Sequence, residues 1–274
     1  MDYLIEIIKS VCFGIVQGIT EWLPISSTGH LILLEELISV GGDDFFDMFK
    51  VVIQFGSILA VVVVYFSTLM PLKKSQGKLA LDMRSVRLWL KVIVGCIPAG
   101  VAGIILDDII DEHLSEWYVI AATLLIYGIA FIVIERRNKK RSFKVETIDD
   151  ISYRTAFGIG CFQVLALIPG TSRSGSTILG ASLIGVSRKA AAEFSFFLAV
   201  PVMLGASALK LLKFGFDFSL AELLVLAVGS LTAFAVSLVA IKFLVGFVRK
   251  HSFESFGWYR IALSILVIIW FIIF

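Results

Sequence analysis

The stretch Pro169-Gly170-Thr171-Ser172-Arg173-Ser174-Gly175-Ser176-Thr177 sets an arginine, five hydroxyl residues and two glycines beside one proline, between two strongly apolar segments. The planar guanidinium of Arg173 suits a bidentate grip on phosphate. Serine- and glycine-rich backbone at the start of a half-helix offers N–H donors to the same anion. An earlier stretch, Pro24-Ile25-Ser26-Ser27-Thr28-Gly29-His30, has the same look. A charged arginine at membrane depth costs at least about 2.5 kcal/mol, so it needs a partner or an anionic ligand. Together the stretches read as the polar elbows of two broken helices that meet around something anionic, with a salt bridge between the elbows as the purely structural alternative.

Glu21 is the obvious counter-charge to Arg173, and Gln17 lies one helical turn before it on the same face. That pair of oxygen donors, facing a diphosphate, could ligate Mg²⁺ or Ca²⁺, since hard cations take carboxylate, amide and substrate oxygens. Glu21 could equally serve as a general base or only as the partner of Arg173. Serine becomes a nucleophile when a base takes its proton, and His30 lies three residues beyond Ser27, within reach if a helix starts there. Ser26, Thr28, Gly170, Thr171, Ser172, Ser174 and Thr177 are the remaining candidates for phosphate contact. A helix N-cap with a nearby histidine is the structural alternative for the first elbow. A phosphohistidine route is disfavoured, because no histidine follows Arg173 until His251.

The elements that must position these residues are membrane segments. Of 274 residues 58% are hydrophobic and 17% charged, where a soluble domain carries roughly a quarter charged residues; mean hydropathy is +0.96. The net charge of +2 gives no electrostatic case for nucleic acid. Cys12, Cys96 and Cys161 lie far apart in apolar runs and form neither a disulfide framework nor a zinc motif. The first residues lack a basic n-region and a cleavage site, so the N-terminus is expected to be retained, with no soluble domain at either end.

Apolar runs fall at about 10–25, 31–40, 49–70, 89–106, 117–134, 154–168, 177–186, 194–213, 219–247 and 257–274. Six approach the roughly 20 residues that a spanning helix needs. The four shorter runs flank the two elbows and read as limbs of re-entrant hairpins. The expected fold is therefore an all-α polytopic membrane protein, one domain over 1–274, with six transmembrane helices and two re-entrant hairpins at 10–40 and 154–186. Basic residues crowd 73–91 (Lys73, Lys74, Lys78, Arg84, Arg87, Lys91) and 136–154 (including Lys140 and Arg141), whereas 107–112 is acidic. The positive-inside rule puts the basic connections in the cytoplasm, the acidic one outside and both termini outside. The hairpins then enter from opposite sides. Pro24 precedes Phe49 by the same interval as Pro169 precedes Phe194, and Ser26-Ser27 falls opposite Thr171-Ser172. That spacing predicts an inverted-topology repeat, about 1–110 and 150–247, with a site where the halves meet.

Other polar residues read as structural. Gln54 and Gln163 are expected to bond between helices, and Ser57, Ser207 and Ser237 to pack them. Lys50, Lys210, Lys242 and Arg260 look like snorkelling cations near span ends, and Trp22, Trp117 and Trp258 like an interfacial belt.

Gln17-x-x-x-Glu21, the element from Pro24 to His30, and Pro169-Gly170-x-Ser172-Arg173-Ser174-x-x-Thr177 resemble the undecaprenyl-diphosphatase family, also called bacitracin-resistance proteins. The resemblance covers nearly the whole chain, including Phe194 to Pro201. It implies a multi-pass enzyme of the bacterial inner or plasma membrane that hydrolyses undecaprenyl diphosphate to the monophosphate and inorganic phosphate. It further implies carrier recycling for wall synthesis, bacitracin resistance, a divalent cation and a site open to the outer face. The partners implied are the polyprenyl diphosphate and membrane lipids, without nucleic acid, and a homodimer is permitted. Position by position, Glu21, Ser27, His30 and Arg173 match functional residues of the family, with Ser27 its proposed nucleophile. Position 17 is glutamate in some members and glutamine here, which leaves Glu21 the only acidic ligand of its motif. A polyprenyl-phosphate flippase or transporter is the rival class, since paired broken helices also serve translocation. An anion channel is weaker, because Arg173 among apolar walls makes no continuous polar pore.

Overall fold

The computed structural model describes residues 2–75, 78–114, 116–139, 142–215 and 217–273. Lys140 and Arg141 of the second basic connection, and Phe274, lie outside the described residues. The chain runs α1 (Asp2–Thr20), α2 (Ser27–Glu35), α3 (Asp43–Val52), α4 (Gln54–Val64), α5 (Phe66–Leu69), β1 (Leu72–Ser75) and β2 (Lys78–Leu81). It continues with α6 (Met83–Leu114), α7 (Trp117–Asn138), α8 (Tyr153–Val164), α9 (Arg173–Leu183), α10 (Arg188–Phe214), α11 (Leu220–Val248) and α12 (Glu254–Ile273). This is an all-α polytopic membrane protein carrying one small hairpin.

Seven helices among the described residues are long and apolar enough to cross a membrane, rather than the six expected. The addition is α1, whose qualifying window is Tyr3–Thr20. The run expected to begin near residue 10 extends back to Asp2, because Lys9 pairs with Glu6 at 2.7 Å and the charges that interrupted it neutralise each other. The acidic stretch 107–112, expected as a connection, continues α6. The hairpin of β1 and β2, with Leu72 opposite Leu81 and Lys73 opposite Ala80, was not anticipated either. Its strands are four residues each, too short for a periodic signal to register.

Each elbow is packed from below by α10. Trp22, Phe194, Phe196 and Phe197 are fully buried, and the Trp22 ring meets Phe196 edge-on at 5.3 Å. Such a pair adds about 1 kcal/mol beyond its buried area. Trp22 therefore belongs to the core beneath the first elbow and not to an interfacial belt; Trp258 is exposed. Small residues let the second elbow's helix approach α6: a Cβ on Gly160 would lie 2.2 Å from the Gly95 carbonyl oxygen, so only glycine fits that crossing. The serines expected to pack helices do so, with Ser237 Oγ donating to Gly18 O at 3.3 Å and to Ser57 Oγ at 3.0 Å.

Candidate active site

The two elbows are built alike. Ser26, with φ 73°, caps α2 and accepts from Gly29 N; Ser172, with φ 72°, caps α9 and accepts from Gly175 N. These are the only described non-glycine residues at positive φ. A side chain held there costs on the order of 1–3 kcal/mol, so the surroundings must enforce it. Capping geometry makes Ser26 equivalent to Ser172, one residue away from the expected register of Ser26-Ser27 opposite Thr171-Ser172. The slip has a single cause. Two positions separate Pro24 from its cap and three separate Pro169 from its own, Gly170 taking up the difference at φ 82°. A Cβ at Gly170 would sit 2.2 Å from Thr123 Oγ1 and 2.8 Å from the Ile120 backbone, so the second elbow rests directly on α7.

The elbows meet at Glu21. Its Oε1 accepts from Arg173 Nη2 at 3.2 Å, and its Oε2 accepts from Gln17 Nε2 at 3.1 Å and from Ser27 Oγ at 3.2 Å. Glu21 and Arg173 are nearly buried, with side-chain exposures of 8% and 10%. Arg173 also donates from Nη1 to the Ser195 carbonyl at 2.7 Å and lies over the Trp22 ring at 5.8 Å. Thr177 Oγ1 donates to the Arg173 carbonyl at 2.8 Å, and Ser174 Oγ donates to the carbonyls of Glu21 and Leu23 at 3.2 and 3.3 Å. Seven of the sequence candidates (Gln17, Glu21, Ser27, Ser172, Arg173, Ser174 and Thr177) thus share one network, Ser172 through Ser174 at 3.1 Å.

The others stand apart from it. His30 Nδ1 lies 2.7 Å from the Ser26 carbonyl, which can only accept, so that nitrogen carries the proton. Its Nε2 is 2.8 Å from the Tyr259 hydroxyl, and the two rings stack at 5.6 Å. His30 therefore touches the turn that holds Ser27 but does not bond Ser27 itself. Thr28 is exposed, and Thr171 is buried with its hydroxyl unbonded to protein. Gln163, expected to bond between helices, is buried with neither its oxygen nor its nitrogen bonded to protein.

Arg260 is the main residue that sequence reasoning misplaced. It does not snorkel: it is fully buried, and it donates to Gly170 O at 2.9 Å, Thr171 O at 3.0 Å and Pro24 O at 3.3 Å. One side chain from α12 thus ties both elbows together through their carbonyls. Ser195 and Tyr259 were also missed; the inclusion of Phe194 to Pro201 in the family resemblance was the only signal for the former. Lys50, also read as snorkelling, pairs with Glu35 at 2.8 Å.

Gln17 and Glu21 fit a hard cation. Gln17 is fully buried and its Oε1 has no protein donor, one turn from a carboxylate. No group of three His, Cys, Asp or Glu side chains able to hold a metal exists among the described residues. Two protein oxygens with the remainder from phosphates and water is a Mg²⁺-like arrangement, unlike the nitrogen and sulfur sets of zinc. The first amides of α2 and α9 lack intrahelical acceptors, and apart from Gly29 N and Gly175 N, which the cap serines accept, they are donors an anion could use. Chemically the site combines a hydroxyl poised on a carboxylate, a buried cation and two helix N-termini, which is what attack on a phosphorus centre requires.

A family model described as bacitracin resistance protein BacA matches residues 10–266. The chain is 58% identical to an undecaprenyl-diphosphatase of Enterococcus faecalis over 267 residues, covering 97% of each protein. It is 55% identical to undecaprenyl-diphosphatase 1 of Clostridioides difficile over 269 residues (98% and 97%) and 51% identical to an undecaprenyl-diphosphatase of Acetivibrio thermocellus over 270 residues (98% and 99%).

Proposed function

The chain belongs to the bacitracin resistance protein BacA family, and on that premise we infer that its reaction is the hydrolysis of undecaprenyl diphosphate to undecaprenyl phosphate and inorganic phosphate. It is a membrane-embedded phosphatase that recycles the carrier lipid for cell-wall synthesis and confers bacitracin resistance. The observation that carries the assignment of roles is Glu21 held between Ser27 and Arg173, residues from opposite halves of the chain.

In this reading Ser27 Oγ attacks the terminal phosphorus while Glu21, already accepting its hydrogen bond, takes the proton. The Oγ–P bond forms, the anhydride P–O bond breaks, and undecaprenyl phosphate departs with the electron pair. Water then attacks the phosphoserine. Glu21 returns its proton to Ser27, inorganic phosphate leaves, and the water's second proton passes to solvent. Arg173 and the first amides of α9 hold the charge that develops on the phosphoryl oxygens. Ser26, Ser172, Ser174 and Thr177 fix the two turns, buried Gly170 and Thr171 anchor the second elbow through carbonyls held by Arg260, and exposed Thr28 is the one available to the headgroup. His30 steadies the Ser26 turn through Nδ1 and accepts from the Tyr259 hydroxyl at Nε2. Gln17 and Glu21 are the residues that would hold Mg²⁺ or Ca²⁺, which would supply neutralisation of diphosphate charge and polarisation of the phosphoryl group.

In this reading α1, although long and apolar enough to span, is the first limb of a re-entrant hairpin at 10–40; with a second hairpin at 154–186 this leaves six spans, in inverted repeats of about 1–110 and 150–247, with the site open to the outer face. Support comes from the elbows: Glu21, Ser26 and Ser174 are buried in protein, the setting in which irregular backbone is tolerated at membrane depth. The test is phosphate release from a polyprenyl diphosphate by purified protein in detergent, where no gradient exists for a flippase to use. Arg173→Ala and Ser27→Ala should each lower turnover by about 10²–10³-fold or more, and chelator should abolish it. Near-normal release by Arg173→Ala would overturn the assignment.

A further inference from the structure

At the end of α6 remote from the elbows lies a cavity of about 260 Å³ lined by Arg84, Arg87, Leu88, Lys91, Ile148 and Asp149. Gly103 of α6 packs toward Leu167 of the second elbow, and Arg84 lies about 28 Å from it along the helix at roughly 1.5 Å per residue. Three cations line the cavity around one carboxylate. Arg84 spends its fork on Asp149, with Nε to Oδ1 at 2.8 Å and Nη2 on Oδ2. Lys91 donates to the Asp149 backbone carbonyl at 2.8 Å and feels the Asp149 and Asp150 carboxylates without forming a direct ion pair with either. Arg87 uses only Nε, on Met83 O at 3.2 Å. The neighbouring Asp150 carboxylate is engaged by Thr147 N and Oγ1 at 3.1 and 2.7 Å. Two cations are thus left facing the cavity with N–H donors to spare.

The adjoining hairpin is amphipathic. Strand alternation and the register put Leu72, Leu79 and Leu81 on one face, where Lys74 is the position paired with Leu79, and Lys73 and Lys78 on the other. The three leucines are 43%, 71% and 65% exposed, an arrangement unfavourable in water and natural at the headgroup–acyl boundary. On the opposite face, Lys73 lines a second cavity that shares Arg84, Leu88 and Asp149 with the first. We propose that this pocket binds the phosphate of an anionic lipid headgroup, held by Arg87 and Lys91, in the leaflet where the hairpin seats its leucines. The positive-inside rule assigns that leaflet to the cytoplasm. The headgroup phosphate and a free phosphate share the same recognition chemistry, but only the lipid also explains the leucine face.

The test uses delipidated full-length protein in detergent, with bound lipid counted by native mass spectrometry during titration with phosphatidylglycerol or phosphatidylcholine, alone or with glycerol phosphate. The expected result is one phosphatidylglycerol bound about tenfold or more tightly than phosphatidylcholine, two unpaired cations each contributing. Arg87→Ala with Lys91→Ala should remove that preference, and Arg87→Lys should retain most of it. Should the double variant lose monodisperse elution, Arg87→Gln, which leaves the Lys91 contact in place, takes its role. Equal binding of the two lipids by wild type, an undiminished preference in the variant, or glycerol phosphate binding without a preference for phosphatidylglycerol would overturn the proposal.

Discussion

Glu21 accepts hydrogen bonds from Gln17, Ser27 and Arg173, so each change at one of these residues is felt by the other two. Gln17 is the gentlest place to intervene, because its Oε1 is unused. If Gln17 and Glu21 hold the proposed cation, Gln17→Glu supplies it a second carboxylate, and the Mg²⁺ concentration for half-maximal phosphate release should fall about tenfold. A metal titration with unchanged midpoint would place the cation elsewhere. Arg260 acts on both elbows without reaching the network. Arg260→Ala strands the carbonyls of Pro24, Gly170 and Thr171 and should cost about 3 kcal/mol, read as a lower melting temperature in detergent together with lost turnover. Unchanged melting would sink that account. The meeting of Glu21, Ser27 and Arg173 was legible because charge and hydroxyls are conspicuous among apolar residues. Arg260 was not. Its acceptors are backbone carbonyls, which have no residue identity, and they lie 236, 90 and 89 positions away.

At the scale of elements, the elbow is the unit that places the site, and Gly170 is its tightest point. Gly170→Ala must accommodate both a positive φ and a Cβ against Thr123 and Ile120. The strain, roughly 1–3 kcal/mol, should displace Arg173 from Glu21 and lower phosphate release at least tenfold while the protein still inserts and purifies. Wild-type turnover in that variant would show that the elbow position is not critical. Most helices were legible because a spanning segment must satisfy its backbone within itself and so writes a long apolar run. The extra reach of α1 was hidden by Glu6 and Lys9, charges that look disruptive until they pair. The β1–β2 hairpin was hidden by brevity, and the one-residue register slip by a glycine whose effect depends on which wall it touches.

At the scale of the whole molecule, the proposed orientation rests on the distribution of charge. With Cys12, Cys96 and Cys161 replaced by serine, Glu116→Cys should react with a membrane-impermeant maleimide in intact cells, whereas Glu146→Cys should react only after lysis. Both positions are exposed, so the reverse pattern would invert the assigned topology. The matched serine turns have a consequence for how such a molecule works. The residue after Ser26 is Ser27 and the residue after Ser172 is Arg173, so in the proposed mechanism the same place on two like turns carries the attacking oxygen in one and the charge-holding fork in the other. Neither copy is competent alone. On that proposal the active centre exists only while Glu21 and Ser27 stay docked on Arg173, so parting the two elbows would switch it off.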